Sequence, residues 1–363
     1  MGLGKNGYYS LDDIKKYNCE WNFIYGERAP GKSFAVKREA LERAWTTGKP
    51  CIGLIRRQKV DIEVDRVEDY FIDRNINVVS EVTQGEFTFI QQWRKKLYFA
   101  RTDEETGKVY RGSCIGKAFA LSASKHDKST GHPFIDFIIY EEVISEDGFY
   151  LPNEPFRLES LISTIMRKDS QCRIYLIGNA LSRVCPYFLE WNLKNIRKQK
   201  VGTIDVYHHT NTEGDIIDIA VEHVPPSPHK SKLFFGRAAK SIQGGAWYTG
   251  SYPHLPEDYN NYDEVYAITY HSRDDFKFTI RILTHKEEGY ILLFIHPAKH
   301  TCERVISSAF STDIMTTPQI NRSNPAEALI HDCFVKNKVC YSDNQTAQDF
   351  VDSCKAELHN PFI

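Results

Sequence analysis

No run of about 18 apolar residues occurs anywhere in the 363-residue chain, so no membrane-spanning helix is expected. The opening stretch, MGLGKNGYYSLDDIKKYN, is polar and holds neither an apolar core nor a small-residue cleavage site, which argues against a secretory leader. Asn6 stands where myristoylation of Gly2 requires Ser or Thr. An excess of charge of one sign is also missing, the formal net charge being -2 at pH 7. Such a chain is no general nucleic-acid sponge, and any grip on DNA must come from local placement of Lys and Arg or from an assembled ring. None of the nine cysteines forms a C-x-x-C pair, and an odd, scattered set fits free thiols in a reducing compartment better than a zinc or disulfide framework. An N-K-x-D guanine motif is absent too.

What is present begins at residue 23. The apolar run Phe23-Ile24-Tyr25 leads into Gly26-Glu27-Arg28-Ala29-Pro30-Gly31-Lys32-Ser33, which matches G-x-x-x-x-G-K-[ST] at every fixed position. Gly26 and Gly31 allow a tight turn whose N–H groups line a concavity for phosphates at a helix N-terminus. Lys32 is expected to reach the β- and γ-phosphates of ATP, and Ser33 to hold Mg²⁺. The context supports the match, because an apolar strand precedes it and FAVKREALERAW follows with helical spacing and neither Gly nor Pro.

A second apolar run, Phe134 to Tyr140, ends in Glu141-Glu142. This is the pattern of a Walker B strand, in which the first acid orients the metal and the second polarises the attacking water. Asp136, in the middle of the run, is the competing metal acid. The next strand, Cys172 to Gly178, ends at Asn179, where a γ-phosphate sensor would sit. Arg167 closes the intervening amphipathic helix and is placed to enter a neighbour's site as an arginine finger; stabilisation of the helix C-terminus is the plainer alternative.

Around these stretches the chain reads as α/β. Residues up to about 20 suggest a short helix opened by Ser10, with Tyr17 and Asn18 as candidates to border the adenine base against a simple surface helix. Cys51 to Ile55 reads as a buried strand ending in Arg56-Arg57-Gln58-Lys59, a basic turn that either faces phosphate or DNA or is merely solvated. Residues 61–74 read as helical. INVVSEV, EFTFIQ and KKLYFA then read as short antiparallel strands. Residues 116–133 form a polar loop with Lys125 and Lys128. His- and Pro-rich composition from Val206 to about Gly250 suggests a linker, and EVYAITYH, KFTIRILTH and YILLFIHP suggest a β-meander followed by helices near 325–338 and 345–358.

Phe23 to Ser33, Ile52 to Lys59, Leu121 to Pro133, Phe134 to Glu142, Leu158 to Arg167 and Ile177 to Phe188 occur in the order and at the spacing that resemble the DNA-packaging ATPases of phi-29-type small tailed phages, within the FtsK/HerA-like ring translocases. The resemblance implies an ASCE-type P-loop ATPase domain (1–205), a small linker domain (206–250) and a C-terminal RNase H-like domain (251–363). It implies a homomeric ring, usually pentameric, that acts in the cytoplasm of the infected bacterium. That ring sits on the portal of a prohead, directly or through a structural RNA, and drives double-stranded DNA inward. Lys32 and Ser33 match its Walker A pair, Glu142 its catalytic Glu, Arg167 its trans-acting arginine finger and Lys128 a lysine at the subunit interface. Glu141 stands where the family commonly has Asp. Val265 to His271 holds no Asp or Glu, so the C-terminal domain is expected to lack nuclease activity. The competing reading is a nucleotide-gated DNA-binding or assembly protein with little turnover; a P-loop kinase or GTPase is the weaker third.

Overall fold

The computed structural model describes residues 4, 7–28, 31–73, 76–126, 132–166, 172–229, 247–307, 316–357 and 360–362. The chain divides into two units, one of Met1–Ser145, Leu151–Ala180 and Asn195–Ala246, the other of Glu146–Tyr150, Leu181–Lys194 and Trp247–Ile363.

In the first unit a short helix, α1 (Asp12–Lys15), precedes the apolar run that becomes β1 (Trp21–Gly26), and α2 (Lys32–Thr47) follows the glycine-rich turn. Val36, Ala40, Leu41 and Ala44 of α2 are buried at the spacing of one helical face, and Gly48 ends the helix in the left-handed region. Next come β2 (Ile52–Arg56), α3 (Val64–Tyr70), α4 (Val78–Val82), β3 (Phe89–Trp93), β4 (Lys96–Thr102), β5 (Val109–Ala120), β6 (Phe137–Glu141), α5 (Glu154–Met166), β7 (Arg173–Asn179), β8 (Ile204–Thr210) and β9 (Ile216–His223). They form one nine-stranded sheet in the order β3-β4-β5-β2-β6-β7-β1-β9-β8. The central strands from β5 to β9 pair in parallel. β3, β4 and β8 join antiparallel at the two margins. Strands covered on both faces read as unbroken apolar runs, as β6 and β7 do. Parallel pairing brings the C-terminal tips of β1, β6 and β7 to one edge of the sheet, where ligands of open α/β sheets bind.

Three expectations change here. Residues 206–223, read as the start of a linker, belong to β8 and β9. β9 lies beside β1 with Trp21 opposite Ile219, a pairing across some two hundred residues that no local pattern announces. INVVSEV, read as a strand, contains helix α4: the Asn77 side chain accepts from the Ser80 N–H at 2.9 Å, and this cap outweighs the β preference of the valines it precedes. Tyr17 and Asn18 precede the N-terminal end of β1, a strand's length of roughly 20 Å from the phosphate turn, so they do not border that turn.

The second unit is built on a meander of β10 (Tyr262–His271), β11 (Lys277–His285) and β12 (Ile291–Pro297). The short strands β13 (Val305–Ser307), β14 (Thr316–Thr317) and β15 (Val339–Tyr341) extend it in parallel to order β14-β13-β10-β11-β12-β15. Ile268, Tyr270, Ile280, Leu293 and Ile295 form its core with residues of α6 (Pro325–Val335) and α7 (Asn344–Ala356), among them Ile330, Ala347 and Phe350. The segment that carries the short helix Pro186–Glu190 is fastened here: Ser182 Oγ donates to Asp352 at 2.7 Å, and Arg183 pairs with Asp349 at 2.9 Å. β10 starts two residues before the expected Glu264 and so gains Asp263; Asp263 and Glu264 pair with Lys286 and Arg281.

Candidate nucleotide-binding site

The site is assembled at the C-terminal tips of β1, β6 and β7. Gly26 is required by proximity, since a Cβ there would lie 2.9 Å from the Val224 carbonyl oxygen. Gly31 takes φ 92 at the N-cap of α2, a conformation L side chains avoid, and so points the first turn of the helix at the space beyond β1. Glu27 is buried and accepts the Ser227 N–H at 2.5 Å, so the chain just after β9 clasps the turn. Ala29 and Pro30 lie outside the described residues.

Lys32 is 4% exposed, and its Nζ donates to the Glu27 carbonyl and, at 3.3 Å, to Asn179 Oδ1. Both acceptors are neutral. Burial therefore lowers its pKa to about 8, with the more distant Glu141 and Glu27 only partly opposing the shift. A desolvated cation that no carboxylate touches among the described residues, at a helix N-terminus, is the chemistry that receives a polyphosphate. Asn179 sits at the tip of β7 as its place in the sequence suggested.

Ser33 Oγ donates to Glu141 Oε2 at 3.1 Å, and Tyr70 Oη donates to Glu141 Oε1 at 2.8 Å. Burial pushes the Glu141 carboxyl above its ordinary value, against the two hydroxyl hydrogen bonds that pull it down. A hydroxyl and a carboxylate side by side are the hard oxygen donors a Mg²⁺ with phosphate ligands takes. Asp136 is at the other end of the strand, paired bidentately with Arg43 at 2.8 and 2.5 Å. Glu142 directly follows β6 with φ 58, an uncommon conformation for a side chain of its size, and its carboxylate faces solvent 3.3 Å from Arg56.

Arg57, the other arginine of the basic turn, is committed elsewhere. It donates to both oxygens of the fully buried Glu154 and to the Val143 carbonyl, while Tyr140 Oη adds a 2.7 Å bond to the same carboxylate. Arg167 and Lys128 lie outside the described residues.

Tyr70 escaped the sequence reading. It ends α3, about seventy residues from Glu141, and Lys37 holds it from α2 by donating to its carbonyl at 2.8 Å and lying over its ring. A tyrosine at the end of a short acidic helix carries no motif. Only the fold brings it to the carboxylate.

The parallel sheet, the glycine turn and the Lys32–Asn179 and Ser33–Glu141 contacts define a P-loop nucleotide-binding protein. A family model for the podovirus DNA encapsidation protein (Gp16) matches residues 3–224, more than half of the chain, and the chain belongs to that family. The DNA packaging protein of Bacillus phage phi29 is 28% identical over 245 residues, covering 67% of this chain and 65% of that protein. Thus the chain spans about 65% of that relative's length. The DNA packaging protein of Bacillus phage B103 is 24% identical, with 85% of this chain and 95% of that protein covered. Among solved structures, a chain of the bacteriophage Phi-29 viral genome packaging motor assembly has the same fold, with TM-score 0.56 at 20% identity over 96% of this chain and 99% of that one. Among the described residues, no helix is long and apolar enough to cross a membrane.

Proposed function

We propose that this protein is the ATP-hydrolysing subunit of a homomeric ring, pentameric as its resemblance implies, that drives double-stranded DNA into a phage prohead. The observation that carries the reading is the buried, unneutralised Lys32 beside the Ser33–Glu141 pair, with Glu142 directly after the strand that ends in Glu141. Lys32 binds phosphate oxygens and Ser33 and Glu141 hold the metal, which when bound supplies charge neutralisation for the departing phosphate. Asn179, already in contact with Lys32, orients the terminal phosphate. Glu142 accepts the proton of the attacking water. Arg167 from one subunit completes the site of its neighbour, and Lys128 acts at the same interface. β7 stands between the strands bearing Lys32's turn and Glu141, the order of an ASCE-type ATPase. The linker is shortened by the assignment of β8 and β9 to the ATPase domain. The order of the second sheet supports an RNase H-like domain, which we read as a docking module without nuclease activity. The portal, directly or through a structural RNA, is its partner, in the cytoplasm of the infected bacterium.

The test is ATP hydrolysis with and without double-stranded DNA at two salt concentrations. DNA is expected to raise the wild-type rate, more at low salt. Glu142→Gln is expected to reduce turnover by about 10²- to 10⁴-fold without loss of nucleotide binding, the usual weight of a general base. A DNA-indifferent rate, or an undiminished one in the variant, would sink the reading.

A further inference from the structure

The cations of the first unit fall into two groups. Arg38, Arg43, Arg57 and Lys37 are each paired with a carboxylate of the same unit. On the outer margin of the sheet the pattern stops. From Phe89 to Thr102, and again from Thr106 to Lys117, the sequence holds no acidic residue, and the three acids between them are confined to the turn Asp103-Glu104-Glu105. Arg94, Lys95, Lys96 and Arg111 are exposed, and among the described residues none of the four is ion-paired.

The two arginines among them are held in place by other means. Arg94 lies 4.5 Å from the centre of the Trp93 ring, and Arg111 lies 4.9 Å from Trp93 and 5.4 Å from Tyr98. Arg111 also donates to Gln91 Oε1 at 2.9 Å. The aromatic side chains thus act as posts for guanidinium groups. Trp93 and Lys96 pair across a two-residue turn in which Arg94 and Lys95 have φ 50 and 63. Both central residues of such a turn favour Asn and Gly. The turn is tied to β5, its Lys95 carbonyl accepting the Ala118 N–H at 2.9 Å. Two bulky cations are kept where backbone conformation argues against them, a local cost of the kind found at functional positions.

We propose that this face, Trp93 to Lys96 with Tyr98 and Arg111, binds the phosphate backbone of double-stranded DNA. The assignment rests on the function proposed above and adds a place of contact to it. Unneutralised cations fit a polyanion. Single strands are gripped by stacking bases on open aromatic rings, whereas here guanidinium groups stack on Trp93 and Tyr98, so the contact is to a backbone whose bases are paired. It is insensitive to sequence.

The decisive variant is Arg94→Asn combined with Lys95→Gly, in the full-length chain. Asn-Gly is the favoured pair for this turn, so the fold is expected to keep or raise its melting temperature. Binding of a random-sequence DNA duplex, followed through a salt titration, is expected to weaken by about tenfold at low salt. The log–log salt slope is expected to fall by about two, near one for each phosphate no longer neutralised. ATP hydrolysis without DNA is expected to stay unchanged. Equal DNA affinity and slope in wild type and variant would overturn this surface while leaving the packaging reading intact. A loss seen only with duplex RNA would overturn it too. A wild-type chain that retains no duplex DNA at low salt would overturn both.

Discussion

Two buried cations with opposite surroundings separate the two units. In the second, Arg304 donates to Glu327 through Nε at 2.8 Å and a terminal nitrogen at 3.0 Å, and to Thr317 at 2.8 Å. In the first, Lys32 touches, among the described residues, only a carbonyl and an amide oxygen. The first arrangement is closed: charge is neutralised, donors are used, and a ligand has nothing to add. The second leaves a positive charge out of water without a counterion, which a bound anion would supply. A buried cation indicates a binding site when its own fold does not neutralise it, and burial alone does not make the distinction.

The largest effect is expected where the closed pair is broken. Arg304→Met leaves the Glu327 carboxylate buried with, among the described residues, only the Asn321 N–H, and removing one partner of a buried pair costs about 3–5 kcal/mol. Urea unfolding should show the loss, and a joint Glu327→Leu replacement should restore most of it. A loss below about 1 kcal/mol would mean that the pair adds nothing to the fold. Although burial pushes the Glu327 carboxyl up, Arg304 and the Asn321 N–H hold it below its ordinary value. The stability it contributes is present above the unfolded pKa and is lost as pH falls through the folded one.

Lys32 should behave in the opposite sense. Its pKa falls from 10.5 to about 8, so between those values the unfolded chain holds a proton that the folded chain has shed, and stability of the nucleotide-free protein rises with pH across that window. Lys32→Met should flatten this rise. At neutral pH it should stabilise the nucleotide-free chain by on the order of 1–2 kcal/mol, the desolvation penalty less the two hydrogen bonds that Nζ makes. The same variant should lose the gain in melting temperature that ATP and Mg²⁺ give the wild type. A variant destabilised without nucleotide would show that Lys32 supports the fold rather than a ligand.

The halves of this comparison were unequally legible in the sequence. Lys32 stands in a motif whose spacing is set by the chemistry of phosphate, and Glu141 and Asn179 stand at the ends of apolar runs, so local pattern placed Lys32 at the start of the helix after β1 and the other two at strand tips. The meander announced itself by alternation and turns, with β11 at the expected residues. Arg304 and Glu327 are partners across loop and helix, and nothing in either neighbourhood marks them. The same holds for β9 beside β1, for Ser227 on Glu27 and for Tyr70 on Glu141. Each is a contact over long separation, selected by how elements stack after they form, and residue type alone does not carry it.

Tyr70 gives the finest test of the open site. Tyr70→Phe keeps the ring against Phe71 and beneath Lys37 and removes only the hydroxyl that donates to Glu141. That carboxyl is already raised by burial, and loss of a donor to its charged form raises it further. Metal binding needs the ionised form, so the variant should weaken binding of ATP with Mg²⁺ by about 1 kcal/mol at neutral pH, roughly fivefold. The deficit should grow as pH falls and shrink as it rises. Binding of ATP without metal, which depends on Lys32 and the turn, should not change. Titration calorimetry at several pH values separates the two. An equal loss with and without Mg²⁺ would place Tyr70 among the residues that shape the pocket and leave Glu141 poised by Ser33 alone.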